Sequence, residues 1–294
     1  ILPPYITAFA NNPTTQFQTR LEALKGVSAS IQKLTDEYVV LSDCDVICNV
    51  DLNDIIDYHI KTDADITVAV KTMDLKSEQA RINVLYESDP EGRITDILSY
   101  PTNFEGKADV ALNIVVMKTK YLQQVVLDAV AHNYVSMTRD VMSRNLQHAN
   151  YRIYKYDGYF ATITSFAEYY AHSMDLLTNP AARNALFNVK NRPIYTKVRN
   201  SVPAHYGKDS SVQNSMIADG CDIQGTVENS ILFRGVKIGR NATVKNCIIM
   251  QDTIIGDGAF LQHVITDKNA VVKDNRMLAG ADAQPFYIPK GKMI

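Results

Sequence analysis

Tryptophan is absent from this chain of 294 residues, and cysteine occurs at only four positions, Cys44, Cys48, Cys221 and Cys247. So sparse a set argues against a disulfide framework and reads as free thiols of a reducing, cytoplasmic compartment. Cys44 and Cys48 could form half of a zinc site, but no second pair with ligand spacing completes it. No apolar run approaches the ~20 residues of a membrane-spanning helix, and no secretory leader is visible. An excess of either charge is lacking as well: 30 basic residues meet 32 acidic ones, a net charge of −2. Neither nucleic acid nor an acidic membrane surface is therefore expected as a partner. An initiator methionine is missing too, so the opening "ILPPYITAF" implies that residues precede Ile1.

What the chain does have is length for two domains and a hydrophobic content of 46%, enough for a sizeable core. The first part alternates strand and helix signals. "EYVVLS" reads as a buried strand and "DITVAVK" as another. Between them "DLNDIIDYHIKT" reads as a helix, capped by Asp51 or Asn53, with Ile55, Ile56, His59 and Ile60 on one face. "RINVLYESDPEGRITDILSYP" is a hairpin closed by "SDPEG". "VALNIVVMK" is a strand, followed by helices over "KYLQQVVLDAVAH" and "TRDVMSRNLQ". "YRIYKYDGYFATI" is a strand pair or a bent strand, and Ser165 caps the helix "SFAEYYAHSMDLL". This alternation implies a mainly parallel, doubly wound sheet.

The pattern changes near Asn179. Residues 179–211 carry Pro180, Pro193 and Pro203 with little helical period, and read as an extended connector between a domain over 1–178 and a second over 212–294. In the second, aliphatic residues recur about every sixth position: Ile217, Ile223, then after an offset Ile231, Ile238, Val244, Ile255 and Leu261. Glycine and polar residues fill the corners. Six residues make one flat strand and a turn, and three such units close a triangular coil with aliphatics stacked inside. Offsets near Asn229 and Met250 imply register breaks.

The chemistry-bearing stretch is "YVVLSDCDVICNVD". Asp43, Asp45 and Asp51 follow an apolar strand, at the place where α/β proteins hold a metal or substrate. Asp43 reads as an exposed turn residue and Asp51 as a cap. The segment as far as "ADITVAV" resembles sugar-nucleotide pyrophosphorylases, and "NSMIADGCDIQGTVENSILFRGVKIGRNATVKNCIIMQDTIIGDGAF" closely resembles the left-handed β-helix of bacterial ADP-glucose pyrophosphorylase. The resemblance covers nearly the whole chain. It implies a Rossmann-like, GT-A-like nucleotidyltransferase domain ahead of a left-handed parallel β-helix, and a family activity that makes ADP-glucose from ATP and glucose 1-phosphate for glycogen synthesis.

The resemblance also implies Mg²⁺ held by two aspartates. Asp45 falls at the first. At the second, Thr162 stands in "GYFATITS", where Gly158 and Tyr159 match, and a hydroxyl is a poor ligand for a hard dication. The family's Glu-Lys-Pro clamp is Ser99-Tyr100-Pro101 here. Its Ala-Ser-Met-Gly serine is Ala111, with Asn113 two residues on. The aspartate opening Asp-Phe-Gly-Lys-Asp is Ser136, while Asp140 is kept. The family's glycine-rich nucleotide loop is not found and would precede Ile1. Departures at metal, phosphate and sugar positions, beside intact scaffold motifs, resemble the family's regulatory subunits. The implied protein is catalytically poor, binds Mg²⁺ weakly or not at all, and pairs with a catalytic homologue in a heterotetramer, or with itself. A nucleotide sugar or sugar phosphate is the implied ligand. Two other readings stand: an active glucose-1-phosphate adenylyltransferase, and a β-helix acyltransferase using His263, against which a solvent-facing corner histidine is the plainer account. Arg81, Arg93 and Arg139 could meet phosphate, or could be solvated surface.

Overall fold

The computed structural model describes residues 19–196, 198 and 200–294. The opening stretch from which a missing start was inferred lies outside these. Contacts divide the described residues into two units: one runs to Val46 and resumes over Val50–Phe160, and the other takes Ile47–Asn49 and everything from Ala161.

The first unit is Rossmann-like α/β. Its α-helices are α1 (Arg20–Gly26), α2 (Ser28–Ile31), α3 (Leu52–Lys61), α4 (Ser77–Ala80), α5 (Thr119–Ala131) and the short α6 (Ser143–Asn145) among the described residues. Its strands are β1 (Tyr38–Ser42), β3 (Ile66–Leu75), the hairpin β4 (Val84–Ser88) and β5 (Ile94–Ser99), the long β6 (Gly106–Lys118), and β7 (Tyr151–Lys155). β2 (Val46–Cys48) pairs instead with β8 (Phe160–Thr162). The main sheet runs β5-β4-β6-β3-β7, with β1 on β6. Among the described residues only the β3–β7 ladder of this sheet is parallel; β6 lies antiparallel to β1, β3 and β4, and β4 to β5. The expected mainly parallel sheet is therefore a mixed one. β6 enters from a hairpin rather than through a helical crossover, so its direction is reversed. β1, expected to be buried, is only half-buried over Tyr38–Leu41.

Caps follow local chemistry. The Asp51 carboxylate accepts from the Asn53 amide at 2.9 Å at the start of α3. On the inner face of α3, His59 is fully buried, with Nδ1 2.8 Å from Thr67 Oγ1. Burial first, then the Lys118 charge, hold its imidazole below the ordinary 6.5. The unfolded chain takes up a proton near that pH and the buried ring resists it, so stability is expected to fall as pH drops below about 6.5. His59→Leu should flatten that fall while losing about 1 kcal/mol through the unpaired Thr67 hydroxyl. Urea titrations near pH 7.5 and 5.5 check this, and equal pH sensitivity in both proteins would refute it.

The second unit holds α7 (Phe166–Thr178), opened by the Ser165 hydroxyl accepting from the Glu168 amide at 3.2 Å, and α8 (Pro180–Phe187). The stretch expected to be an extended connector is thus helical over Pro180–Phe187. Asn179 accepts from the amides of Ala181 and Ala182, and Pro180 sits at the first helical position, where its missing N–H costs nothing.

From His205 onward the chain forms a left-handed parallel β-helix, a coil of three five-stranded parallel sheets. Registers pair His205 with Asp222, Asp222 with Lys237, Lys237 with Ile254 and Ile254 with Val271, so successive coils take 17, 15, 17 and 17 residues. Each falls short of three full six-residue units, which accounts for the offsets. Ladders of Ile223, Ile238, Ile255 and Val272, and of Val227, Val244 and Leu261, fill the interior at 1% exposure or less. The third inner ladder is Leu232–Ile249, not Ile231 as the period suggested. Ile231, Ile248 and Ile265 form an outward row, and Ile248 and Ile265 pack under Tyr170 of α7.

Left-handed corners recur in every coil. Asn214, Asn229, Asn246 and His263 each follow a strand of one sheet with φ between 42° and 50°. Asparagine tolerates this region better than most residues, which is why polar residues mark the corners.

Candidate functional site

Asp43 closes the carboxyl end of β1, and it is not a free turn residue. Arg20, the first residue of α1, places Nη2 2.6 Å and Nε 3.0 Å from Asp43 Oδ1. The same Nη2 donates to the Asn113 carbonyl at 2.9 Å. That carbonyl is within reach because β6 bulges there. Val68 pairs with Val115 and Val70 with Ala111, so one residue of β3 faces three of β6, with Asn113 at φ 58°. Bulges re-aim side chains beside functional sites. Asp45, directly before β2, keeps Oδ1 buried with no hydrogen-bond partner among the described residues. No group of three or more His, Cys, Asp or Glu among the described residues is placed to hold a metal ion.

The other expected positions are distributed as follows. Ala111 is buried in the sheet. Ser99 ends β5 opposite Val84, and Tyr100, at φ 55° and 59% exposed, turns the chain outward with its amide on the Asn83 carbonyl at 3.0 Å. Thr162 is the half-buried last residue of β8. Gly158 leaves no room for a side chain, since a Cβ there would collide with the Tyr156 ring.

Ser136 caps a π-helical turn over Met137–Met142, its hydroxyl accepting from the Arg139 amide at 3.2 Å. Asp140, within that turn, spends both oxygens on its own chain. Oδ2 accepts from the Val135 and Ser136 amides at 2.9 Å, and Arg139 Nε reaches Oδ1 at 2.9 Å. The Arg139 guanidinium, and then the two amides, hold this carboxyl well below the usual carboxylate range. Arg81 donates to the Thr102 carbonyl and Arg93 to the Ala149 carbonyl. All three arginines are therefore engaged within the chain.

His263 does not face solvent at its corner. Its side chain is 12% exposed, and Nδ1 lies 2.9 Å from both the Tyr170 hydroxyl and Asp282 Oδ1. The Tyr170 hydroxyl donates onward to the Asn246 carbonyl at 2.8 Å. The histidine thus occupies an asparagine rung and anchors α7 to the coil. A cavity of about 820 Å³ lies between the β4–β5 turn, β6 and β7, near Tyr58, Asp109 and Lys155. None of the expected site residues lines it.

The Arg20 clamp escaped sequence reasoning, because Arg20 and Asn113 are 93 positions apart. The αL-tolerant asparagine inside an otherwise β-branched run was the one available signal.

Residues 199–287 match the family "GlmU-like, C-terminal hexapeptide". The glycogen biosynthesis protein GlgD of Bacillus subtilis is 37% identical over 130 residues, 44% of this chain and 37% of the relative. Glucose-1-phosphate adenylyltransferase of Thermosipho africanus is 31% identical over 211 residues, 70% of this chain and 49% of the relative. The Geobacillus stearothermophilus adenylyltransferase is 26% identical over 246 residues, 82% and 61%. The chain thus spans between about a third and three-fifths of the curated relatives it matches. With a sugar-nucleotide pyrophosphorylase-like α/β unit followed by a hexapeptide β-helix, the chain belongs to the ADP-glucose pyrophosphorylase family and is GlgD-like within it.

Proposed function

We propose that this chain belongs to a regulatory, catalytically poor subunit of a cytoplasmic ADP-glucose pyrophosphorylase in bacterial glycogen biosynthesis. Its partner is a catalytic homologue that makes ADP-glucose from ATP and glucose 1-phosphate. The observation that carries this reading is Thr162: a neutral hydroxyl stands at the position of the family's second metal aspartate, and one carboxylate makes a weak Mg²⁺ site. The aromatic Tyr100 at the phosphate-clamp position and the internally spent Asp140 support it. The likeness to the Bacillus subtilis glycogen biosynthesis protein is consistent with it.

A subunit poor in chemistry acts by biasing its partner's equilibrium between states of different affinity. Mixing the protein with a catalytic homologue is expected to yield a hetero-oligomer by size-resolved mass, with an altered maximal rate, substrate affinity or activator response. No complex and no kinetic change would end the proposal. Brisk pyrophosphorolysis of ADP-glucose by the purified chain alone would favour the alternative, an active adenylyltransferase.

A further inference from the structure

We infer that Arg20 is an in-chain cation at the acidic end of β1, occupying beside Asp43 the charge-balancing place that a divalent ion would otherwise take. The inference rests on the reading of this site as poor in metal chemistry. The donors do not make a hard-cation cage: such ions need six or more oxygens, and Asp43 Oδ1 already receives both Nη2 and Nε of one guanidinium. The pair is partly shielded, with side chains 23% and 39% exposed, so it is less screened than an open surface pair.

The guanidinium is also held in place. Its Nη2 is shared with the Asn113 carbonyl, which the β6 bulge delivers. The helix that carries it is anchored by a capping box, with the Thr19 hydroxyl donating to the Val135 carbonyl at 2.5 Å. Three segments distant in sequence therefore converge on one positive charge. Remove that charge, and Asp43 loses the one ion-pair partner it has among the described residues, while Asp45, two residues on, keeps a buried oxygen without a hydrogen-bond partner. Like charges so placed favour any cation that can approach.

The test is Mn²⁺ uptake by the isolated chain, read from loss of the free-ion electron paramagnetic resonance signal. Wild type is expected to bind weakly. Arg20→Met should bind about tenfold more tightly once the competing charge is gone, and adding Asp43→Asn should abolish the gain. A folded Arg20→Met with wild-type affinity overturns the inference, as does a gain that survives Asp43→Asn. Should Arg20→Met not fold, Arg20→Lys decides: it keeps the charge and should keep wild-type Mn²⁺ uptake, and a tenfold gain there overturns the inference. The readout involves no turnover and no second subunit. Failure here would leave the mixing result standing, and a failed mixing experiment would leave this inference standing.

Discussion

Leu261→Ala is expected to destabilise the β-helix by about 2–5 kcal/mol. Leu261 is fully buried in an inner ladder, directly between Val244 and Leu278 of the neighbouring coils. Truncation removes its own burial and opens a cavity that flat, mutually hydrogen-bonded strands cannot collapse to fill. Each coil contacts only its neighbours, so the loss weakens two interfaces at once. Leu261→Met, which conserves volume, should cost less than about 1.5 kcal/mol. Phe260, one residue earlier on the outer face, is half-buried, so Phe260→Ala should cost clearly less than Leu261→Ala. Guanidinium titration of the three variants checks the order, and an equal cost for Phe260→Ala and Leu261→Ala would contradict the assignment of faces.

Asp140→Ala is expected to cost about 2–3 kcal/mol at neutral pH, because it leaves the Val135 and Ser136 amides without their acceptor and removes the ion pair with the exposed Arg139 guanidinium. The carboxyl is held below its ordinary value of 3.8. A folded-state value below the unfolded one means the folded chain resists protonation, so the stabilisation is whole above about pH 4 and is lost as pH falls further. Wild type and variant should therefore converge on acidification. Denaturation at pH 7 and near pH 3 measures the gap, and a gap that does not shrink would mean that the charge is not its source. The result would also show whether Asp140 acts as a brace for the turn that Ser136 opens.

The β-strand positions, the caps at Asp51 and Ser165 and the hexapeptide coil were legible in the sequence because each depends on neighbours a few residues away. A serine before an apolar helical face, or an aliphatic every sixth residue, carries its own reason. The candidate site was only half legible. The family resemblance implied substitutions at Thr162, Tyr100 and Ala111, since a motif comparison needs only residue identities. What Asp43 and Asp140 do with their charge could not, because that is settled by which donors the folded chain brings up.

The sequence by itself determined an α/β unit followed by a coil of aliphatic rungs, since period and capping are local properties of the chain. The tertiary structure alone decided that β6 runs antiparallel to its neighbours, that Leu232 rather than Ile231 turns inward, that residues 180–187 form a helix, and that Arg20 closes on Asp43 and Asn113. Direction, facing and ion pairing depend on contacts between segments tens of residues apart. Their free energy exists only once those segments are packed, so no window of sequence displays it.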